Sequence, residues 1–385
     1  MTLPVPVVLD ARPDPAVLDR GIEALPEAPA VFLAWPKQGA PYLGRTALLR
    51  RRLRRLFRQR EGPSRLLNLR GLAERVEYWR TASRLESAFV FYELARRHYP
   101  QTYLKLANLR MPSYVKILLS GEFPRPQVTT RLSASQALHF GPFRSRAAAE
   151  LFESQCLDLF QVRRCQEDLE PSAAHPGCIY GEMNLCLRPC QLVVGPEEYR
   201  SEVARLTAFL SSEGETLLET AAAARDRLSA AMEFEEAARQ HKRYEKIQQV
   251  LRLRDSLACD IDRLHGVAVT PSTTAGAVNL WFLARGTWLA PRAFPVAPRV
   301  AEIVSMDARL REVVASLETV RTAVRERQEH LALLARWYYS SWRDGEWLSF
   351  ESFEKAPYRK LVNAIHRAAT GKSEIAGTSG AGGRV

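Results

Sequence analysis

The chain has 385 residues, a hydrophobic fraction of 46% and a formal net charge of +12. These values are typical of a soluble globular protein with two or three domains, and no apolar run approaches the roughly 20 residues that a membrane span needs. They exclude a membrane-spanning protein and lead us to expect a cytoplasmic location without membrane contact. Because arginine carries most of the charge, we expect a phosphate-rich partner.

The N-terminal part of the chain predicts an extension followed by a β-hairpin. Residues 1–27 are rich in proline and alanine and read as an extension with one short helix around Val17–Leu25. The apolar run Ala30–Trp35, a Pro/Gly turn and the segment Tyr42–Gly44 predict the hairpin. An apolar helix is expected further on, over Ser83–Arg97.

A strongly basic helix follows the hairpin. Four apolar residues share one face of it, as expected of a helix packed on a core: Leu49, Leu53, Leu56 and Phe57. Eight arginines lie between positions 45 and 60: Arg45, Arg50, Arg51, Arg52, Arg54, Arg55, Arg58 and Arg60. Such a run indicates either a phosphate-binding surface or a solvated helix face.

The rest of the chain alternates between extended and helical segments. We expect an extended stretch over Gly121–Arg131, a turn at His139–Phe143 and a helix over Ser145–Leu159. The later predictions are a helical region over Pro196–Leu257, strands at Gly266–Thr270 and Val278–Leu283, a helical stretch over Val300–Trp342 and a disordered tail over Gly371–Val385. Aromatic residues from Trp337 to Trp347 could stack on bases, but a core position is the commoner role.

Four cysteines form the most specific pattern: Cys165, Cys178, Cys186 and Cys190, spaced C-x12-C-x7-C-x3-C. Four thiolates from one loop-rich segment suit a tetrahedral metal site or an iron–sulfur cluster, and nearby arginines stabilise thiolate charge. The alternative is a set of buried or paired cysteines. Disulfides are disfavoured because no secretory signal opens the chain and only six cysteines occur.

Four groups of motifs follow one another along the chain: Ala30–Phe32 with Tyr42–Leu53, Glu122–Arg125 with Phe140–Phe143, Cys178–Tyr199, and Met232–Ala238. In sequence, order and spacing they resemble the UvrC/Cho-like family of bacterial nucleotide excision repair. The resemblance covers about residues 28–290. It lacks the family's C-terminal RNase H-like and helix-hairpin-helix parts, so the layout is closer to the shortened single-nuclease relatives such as Cho.

The resemblance implies an α+β fold built from several small units. They are an N-terminal extension (1–27), a GIY-YIG nuclease-like α/β domain (28–106), a linker and cysteine-cluster region (107–195), a helical region with a UVR-like hairpin (196–258), a C-terminal α+β region (259–370) and a disordered tail (371–385).

The resemblance also assigns roles in a metal-dependent DNA endonuclease. Tyr42 corresponds to the general base, Arg52 to the group that stabilises the phosphoryl oxygens, and Arg45 to a conserved positive charge near them, with Mg²⁺ or Mn²⁺ as the metal. Damaged duplex DNA would lie along the arginine helix and contact these side chains: Arg50, Arg51, Arg54, Arg55 and Arg58.

Two departures put that activity in doubt. Phe32 replaces the first tyrosine of the family pattern, and Phe91 stands at the position of the glutamate that ligates the metal. Glu86 and Glu93 lie roughly 140° and 200° around the helix from position 91, so neither is expected to reach the same point. Two hypotheses therefore remain: an active GIY-YIG endonuclease, or a degenerate module that binds DNA and its partner.

The other motifs imply a metal centre and a protein partner. By resemblance the four cysteines hold a [4Fe–4S] cluster of structural role, with zinc as the alternative, and a redox-sensing protein is a third hypothesis. The UVR-like hairpin implies contact with a UvrB-like protein through Phe234, Glu235, Ala237 and Ala238. An ordinary buried helical hairpin is the alternative.

Overall fold

Three antiparallel sheets organise the chain. The computed structural model describes residues 3–12, 14–59, 67–133, 136–297, 304–318 and 322–370. Within these residues two sheets have four strands and one has five. Helices accompany every sheet, so the predicted α+β class is confirmed. The tail expected to be disordered, residues 371–385, lies outside the described residues.

The first sheet contains the predicted hairpin. The elements of this part are β1 (Val7–Asp10), α1 (Pro15–Glu23), β2 (Ala30–Pro36), β3 (Tyr42–Thr46), α2 (Leu49–Leu56), β4 (Ala73–Arg80), α3 (Arg84–His98) and α4 (Tyr103–Leu106). The strand order is β1-β4-β2-β3. Phe32 pairs with Gly44, and an added Cβ at residue 44 would lie 2.5 Å from the Phe32 ring. Only glycine fits there, which explains the glycine of the hairpin.

The N-terminal residues differ from the expected extension. β1 pairs with β4, with Val7 opposite Tyr78, and Leu18 and Ile22 of α1 are buried in the same core as Phe32. The sequence does not predict β4, because the segment mixes charged and apolar residues without strict alternation. An edge strand such as β1 needs little apolar sequence, so it also left no signal.

The second sheet contains the motif Phe140–Phe143. Its elements are β5 (Ser113–Leu118), β6 (Pro126–Thr129), β7 (Ala137–Phe143), α5 (Arg146–Leu157) and β8 (Cys259–Asp260), in the strand order β6-β5-β7-β8. The turn predicted at His139–Phe143 is wrong, because these residues continue β7. The strand tolerates Pro142 because its pairing with β5 shifts register between Ser113 and Val115.

Short helices and a long helical hairpin lie between the second and third sheets in the chain. They are α6 (Ile179–Glu182), a 3₁₀ turn (Pro189–Gln191), α7 (Pro196–Ser211), α8 (Glu215–Ala230) and α9 (Phe234–Arg252). The predicted helical region is therefore confirmed. Across the described part of the chain, no helix is both long enough and apolar enough to cross a membrane.

The third sheet and its helices form the C-terminal part. The elements are β9 (His265–Pro271), β10 (Ala277–Ala284), β11 (Thr287–Trp288), β12 (Arg292–Pro295), α10 (Met306–Ala315), α11 (Val324–Tyr338), β13 (Glu346–Phe350), a 3₁₀ turn (Phe353–Lys355) and α12 (Tyr358–Thr370). Both predicted strands are confirmed as β9 and β10. The single helical stretch predicted over Val300–Trp342 is wrong: the described residues form two separate helices. Trp337 is 1% exposed, in the core.

A shared core joins the first and third sheets through α3 and α11. At its centre the Tyr92 and Tyr103 hydroxyls each donate a hydrogen bond of 2.5 Å to the Glu329 carboxylate. Arg325 donates a further bond of 3.1 Å to the same group. The buried carboxylate therefore has partners from both helices, and this fixes α3 against α11. The domain limits drawn from the sequence stay a prediction.

Candidate nucleic-acid interface and metal centre

β3 and α2 bring Tyr42 and Arg52 together. Leu49 and Leu53 are fully buried, so α2 turns Arg52 toward the hairpin, where its Nη2 donates a hydrogen bond of 3.1 Å to the Tyr42 hydroxyl. Among the residues that the structure describes, the buried Arg52 Nε has no hydrogen-bond partner. The guanidinium can bind a phosphate oxygen.

Phe91 of α3 lies against Arg45 of β3. Its ring is 8% exposed, and the Arg45 guanidinium lies 5.3 Å from the ring centroid. Burial lowers the pKa of Arg45, and the nearby charge of Arg84 lowers it further. A phenyl ring offers no oxygen ligand to Mg²⁺ or Mn²⁺. The positive charge beside Phe91 is therefore the guanidinium group of Arg45.

The neighbouring glutamates do not replace the missing ligand. The Glu86 carboxylate accepts a hydrogen bond of 2.7 Å from the Ala82 N–H, before the start of α3. Glu93 points to α11, where it lies close to Glu326 and His330. The prediction that neither carboxylate reaches position 91 is confirmed.

Glu93, Glu326 and His330 form a compact group that resembles a metal site. Among the residues that the structure describes, they are the group of three whose possible ligand atoms lie within 4.8 Å of one another. The Trp288 N–H donates a hydrogen bond of 3.1 Å to the His330 Nδ1, so the ring proton of the neutral imidazole is on Nε2. Burial lowers the pKa of His330 to about 4. The nitrogen that faces the glutamates is therefore protonated and cannot ligate a metal.

The five arginines predicted to contact DNA fall into two sets. Arg50 and Arg54 form ion pairs with Glu27 and Glu23, so their charges are partly neutralised. The second set is exposed and has no carboxylate partner within the described part of the chain: Arg51, Arg55 and Arg58. Of the five arginines predicted to contact DNA, this second set is free to bind phosphates.

The four cysteines of the predicted metal centre lie close to one another. Cys186 and Cys190 are buried, whereas Cys165 and Cys178 are partly exposed. The Arg163 Nη1 donates to the Cys165 Sγ over 3.5 Å, and the Arg188 N–H donates to the Cys186 Sγ over 3.4 Å. Burial raises the pKa of Cys186 and of Cys190, and the neighbouring cysteines raise both further. Four thiolates at these positions therefore need a bound cation or cluster to offset their repulsion.

The four cysteines supply the donor set that either candidate cofactor needs. Four thiolates suit a single tetrahedral zinc ion as well as a four-iron cluster.

The helical hairpin presents part of the predicted partner surface. Phe234 is 66% and Met232 76% exposed, and Glu235 and Ala238 are exposed beside them. Ala237 is 8% exposed, because it faces into the hairpin formed by α8 and α9. The predicted partner contact of Ala237 stays a prediction.

The sequence does not predict three residues beside Arg45. Arg84, Arg336 and Trp342 line the same cleft as Arg45, although α3 and α11 are far apart in the chain. No local pattern connects these positions, because the pairing of the two helices brings them together. An arginine near an aromatic residue is also too common to serve as a signal.

Comparison with known proteins supports the resemblance seen in the sequence. Residues 114–209 match the family model described as "UvrC/Cho excinuclease, middle domain". The chain is 25% identical over 275 residues to UvrABC system protein C of Lachnospira eligens, covering 71% of this chain and 45% of the relative. It is 27% identical over 270 residues to the protein of Moorella thermoacetica, covering 70% and 44%.

Both of these relatives are much longer than this chain. The chain spans about 45% of the length of the first of them, and no solved structure matches it. Most of the chain is therefore similar to UvrABC system protein C, with the family's middle domain at residues 114–209.

Proposed function

We propose that the chain is a UvrC-like nucleotide excision repair protein, acting in the cytoplasm, that binds damaged duplex DNA without cutting it by the metal-dependent route. The observation that carries the proposal is Phe91, buried against Arg45 at the position where the resemblance expects a metal ligand. DNA phosphates would meet fixed guanidinium groups there instead of a metal ion.

A second candidate function is metal-dependent incision. It is favoured by the hydrogen bond between Arg52 and Tyr42, since a degenerate scaffold has no evident need for that pair. Tyr42 would remove a proton from the attacking water, and Arg52 would stabilise the charge that develops on the phosphate. The route still needs Mg²⁺ or Mn²⁺ held by DNA and water alone, which weakens it.

We propose a structural role for the cysteine segment. Cys165, Cys178, Cys186 and Cys190 would hold a [4Fe–4S] cluster, and zinc is the alternative. When bound, the cluster cross-links four points of a segment that has little regular structure. The hydrogen bonds from Arg163 and Arg188 to two of the sulfurs support thiolate ligands.

A UvrB-like protein is the proposed partner of the helical hairpin. The support is an exposed apolar tip at Met232 and Phe234, where the chain turns from α8 into α9. Large exposed apolar side chains at one tip are typical of a contact surface. The acidic residue Glu235 beside them would select a basic partner surface.

One assay separates the two candidate functions. Purified protein, UvrB and damaged duplex are incubated with Mg²⁺ or Mn²⁺, and the wild type is compared with Arg52→Ala. We expect DNA binding that survives EDTA and no incision. Clean incision that disappears in Arg52→Ala would overturn the binding proposal.

A gain of function completes this test. Phe91→Glu supplies the missing carboxylate, and Phe91→Gln is the matched control without a charge. We expect incision in the presence of Mg²⁺ for the glutamate variant alone, because Tyr42 and Arg52 are already in place. Equal incision by the wild type and Phe91→Glu would show that position 91 does not limit the chemistry.

A further inference from the structure

A cleft beside Arg45 is formed jointly by the first sheet and the C-terminal region. Its volume is about 490 Å³. The start of α3 supplies Arg84, α11 supplies Arg336, and the segment after α11 supplies Trp342 and Asp344. Residues far apart in the chain thus complete one site, which shares Arg45 with the motif Tyr42–Leu53 and extends beyond it.

The cleft concentrates positive charge, because three arginines and one aspartate line it. Among the described residues none of the three guanidinium groups, Arg45, Arg84 and Arg336, forms an ion pair. The Asp344 carboxylate lies near the Arg84 charge and accepts hydrogen bonds from the Arg84 backbone N–H and the Trp337 indole. It offsets one of the three positive charges, so the lining keeps an excess of positive charge. Burial lowers the pKa of Arg336, and the charge of Arg45 lowers it further. A bound anion would relieve this repulsion.

Arg336 is held in place before any ligand arrives. Its Nη1 donates to the carbonyl oxygens of Ala107 and Asn108, at 2.5 and 3.2 Å. Those carbonyls follow α4, so the first part of the chain orients a side chain of the C-terminal part. A fixed guanidinium loses less side-chain entropy when it binds phosphate than a free one does.

An aromatic side chain stands next to these charges. The Arg84 guanidinium lies 5.4 Å from the centroid of the Trp342 ring, and Trp342 is partly exposed. Cationic grooves with aromatic platforms are the usual means of binding single strands, because bases stack on rings and on guanidinium planes while phosphates meet the charges. A duplex offers only its backbone to such a cleft, since its bases are paired and stacked.

We propose that the cleft formed by Arg45, Arg84, Arg336 and Trp342 binds an unpaired, single-stranded segment of nucleic acid. Phosphates contact the three guanidinium groups, and a base packs against Arg84 and Trp342. The proposal rests on the proposed function only in taking DNA as the partner. The arginine face of α2 adjoins this cleft at Arg45; it binds the duplex, and the cleft receives the strand that leaves it.

The test compares two DNA forms and two pairs of substitutions. Fluorescence anisotropy measures the affinity for a labelled oligothymidylate and for an undamaged duplex, in EDTA and over a range of salt. Arg84→Gln with Arg336→Gln is the test pair. Arg146→Gln with Arg311→Gln removes the same charge from exposed ion pairs elsewhere and is the control.

We expect the test pair to lower single-strand affinity about tenfold and to reduce the salt slope by about 1.4, the value for two lost phosphate contacts. Duplex affinity should change less than about twofold. Unchanged single-strand affinity in the test pair, or an equal loss in the control pair, overturns the cleft. A wild type that binds the oligothymidylate but no duplex overturns the proposed function and leaves the cleft standing.

Trp342 provides a second measurement that does not depend on charge. Trp342→Leu should weaken single-strand binding at least about fivefold, whereas Trp342→Phe keeps a ring and should retain most of the affinity. Circular dichroism and thermal unfolding of both variants show whether the fold is kept. Equal losses in two folded variants would mean that no base stacks there and would overturn the proposed base contact.

Discussion

Neighbouring arginines of α2 differ in whether their charge is neutralised, and this difference predicts their roles. Arg51 and Arg55 are exposed and unpaired within the described part of the chain, whereas Arg50 and Arg54 face Glu27 and Glu23. We expect Arg51→Gln with Arg55→Gln to lower duplex affinity about tenfold and to reduce the salt slope by about 1.8, which corresponds to two phosphate contacts. Anisotropy with a labelled damaged duplex measures both.

The matched control lies on the same helix. Arg50→Gln with Arg54→Gln removes the same net charge. The loss of affinity should be clearly smaller, because these two guanidinium groups face Glu27 and Glu23 and are not available for phosphates. If both pairs of substitutions weaken binding equally, DNA senses only the net charge of α2, and the assignment of a phosphate-binding face is wrong.

At the scale of single residues, the sequence predicts well what is local. Tyr42 and Arg52 are ten positions apart on a hairpin and the helix after it, so the hydrogen bond between them follows from short-range structure. The position of Phe91 follows from the register of one helix. The contact between Arg84 and Trp342 could not be predicted from the sequence, because it depends on how α3 packs on the C-terminal part.

The cysteine segment is the element whose stability should depend most on the proposed cofactor. Burial raises the pKa of Cys186, and without a cluster the four cysteines would no longer cross-link the segment. We expect Cys186→Ala to abolish iron binding, to lower the free energy of unfolding by about 3 kcal/mol or more and to expose the segment to proteolysis. Iron, sulfide and zinc analysis of anaerobically purified protein gives the cofactor.

A cysteine outside the cluster provides the comparison. Cys259 lies in β8, and Cys259→Ala should keep the iron content of the wild type. A content of one zinc per chain and no iron would show that the cofactor is zinc and not the cluster. A wild type with neither metal, together with normal protease resistance in Cys186→Ala, would remove the metal centre altogether.

The helical hairpin separates contact residues from packing residues. Phe234 is 66% exposed at its tip, so Phe234→Ala should leave thermal unfolding unchanged while weakening binding to UvrB by about 2 kcal/mol, the effect of losing a central aromatic contact. Calorimetry measures the affinity. Leu151→Ala removes another exposed apolar side chain, 51% exposed on α5, and should change neither quantity. Equal affinities for all three proteins would show that the tip is not the contact.

At the scale of elements, the predictions from apolar periodicity are confirmed, whereas the turn predicted from glycine and proline is wrong. The arginine helix, the hairpin and the strands β9 and β10 follow from apolar periodicity. The segment around Gly141 and Pro142 has the residues of a turn, yet it lies in a sheet because a register shift in the pairing accommodates it. Tertiary pairing of this kind leaves no mark in a single sequence.

At the scale of the whole molecule, polar contacts inside an apolar core determine the candidate sites. Glu329 joins Tyr92 and Tyr103 of the first part to α11, and Arg96 donates to Glu326 over 3.0 Å. These bonds fix the relative position of two helices whose other side chains line the cleft beside Arg45. The contact between α3 and α11 therefore contributes to stability and also determines the shape of the cleft beside Arg45.

The contact between α3 and α11 should make the free energy of unfolding depend on pH. His330 is 3% exposed, and burial lowers its pKa from 6.5 to about 4. Between those values the unfolded chain binds more protons than the folded chain, so the free energy of unfolding rises with pH and falls as the pH drops toward 4. A difference of about 2.5 pH units corresponds to about 3 kcal/mol at most.

Comparison with His330→Gln isolates this contribution. Glu93, whose pKa burial raises, acts in the opposite direction, and His139, whose pKa is lowered to about 4, acts in the same direction. Both groups remain in the variant, so the difference between the two proteins reports His330. We expect urea unfolding to show a lower stability of the variant at pH 7 and a smaller loss between pH 7 and pH 4.5. If the free energies of unfolding of the two proteins change in parallel with pH, the His330 imidazole keeps its ordinary pKa. Protonation of His330 would then not weaken the contact between α3 and α11.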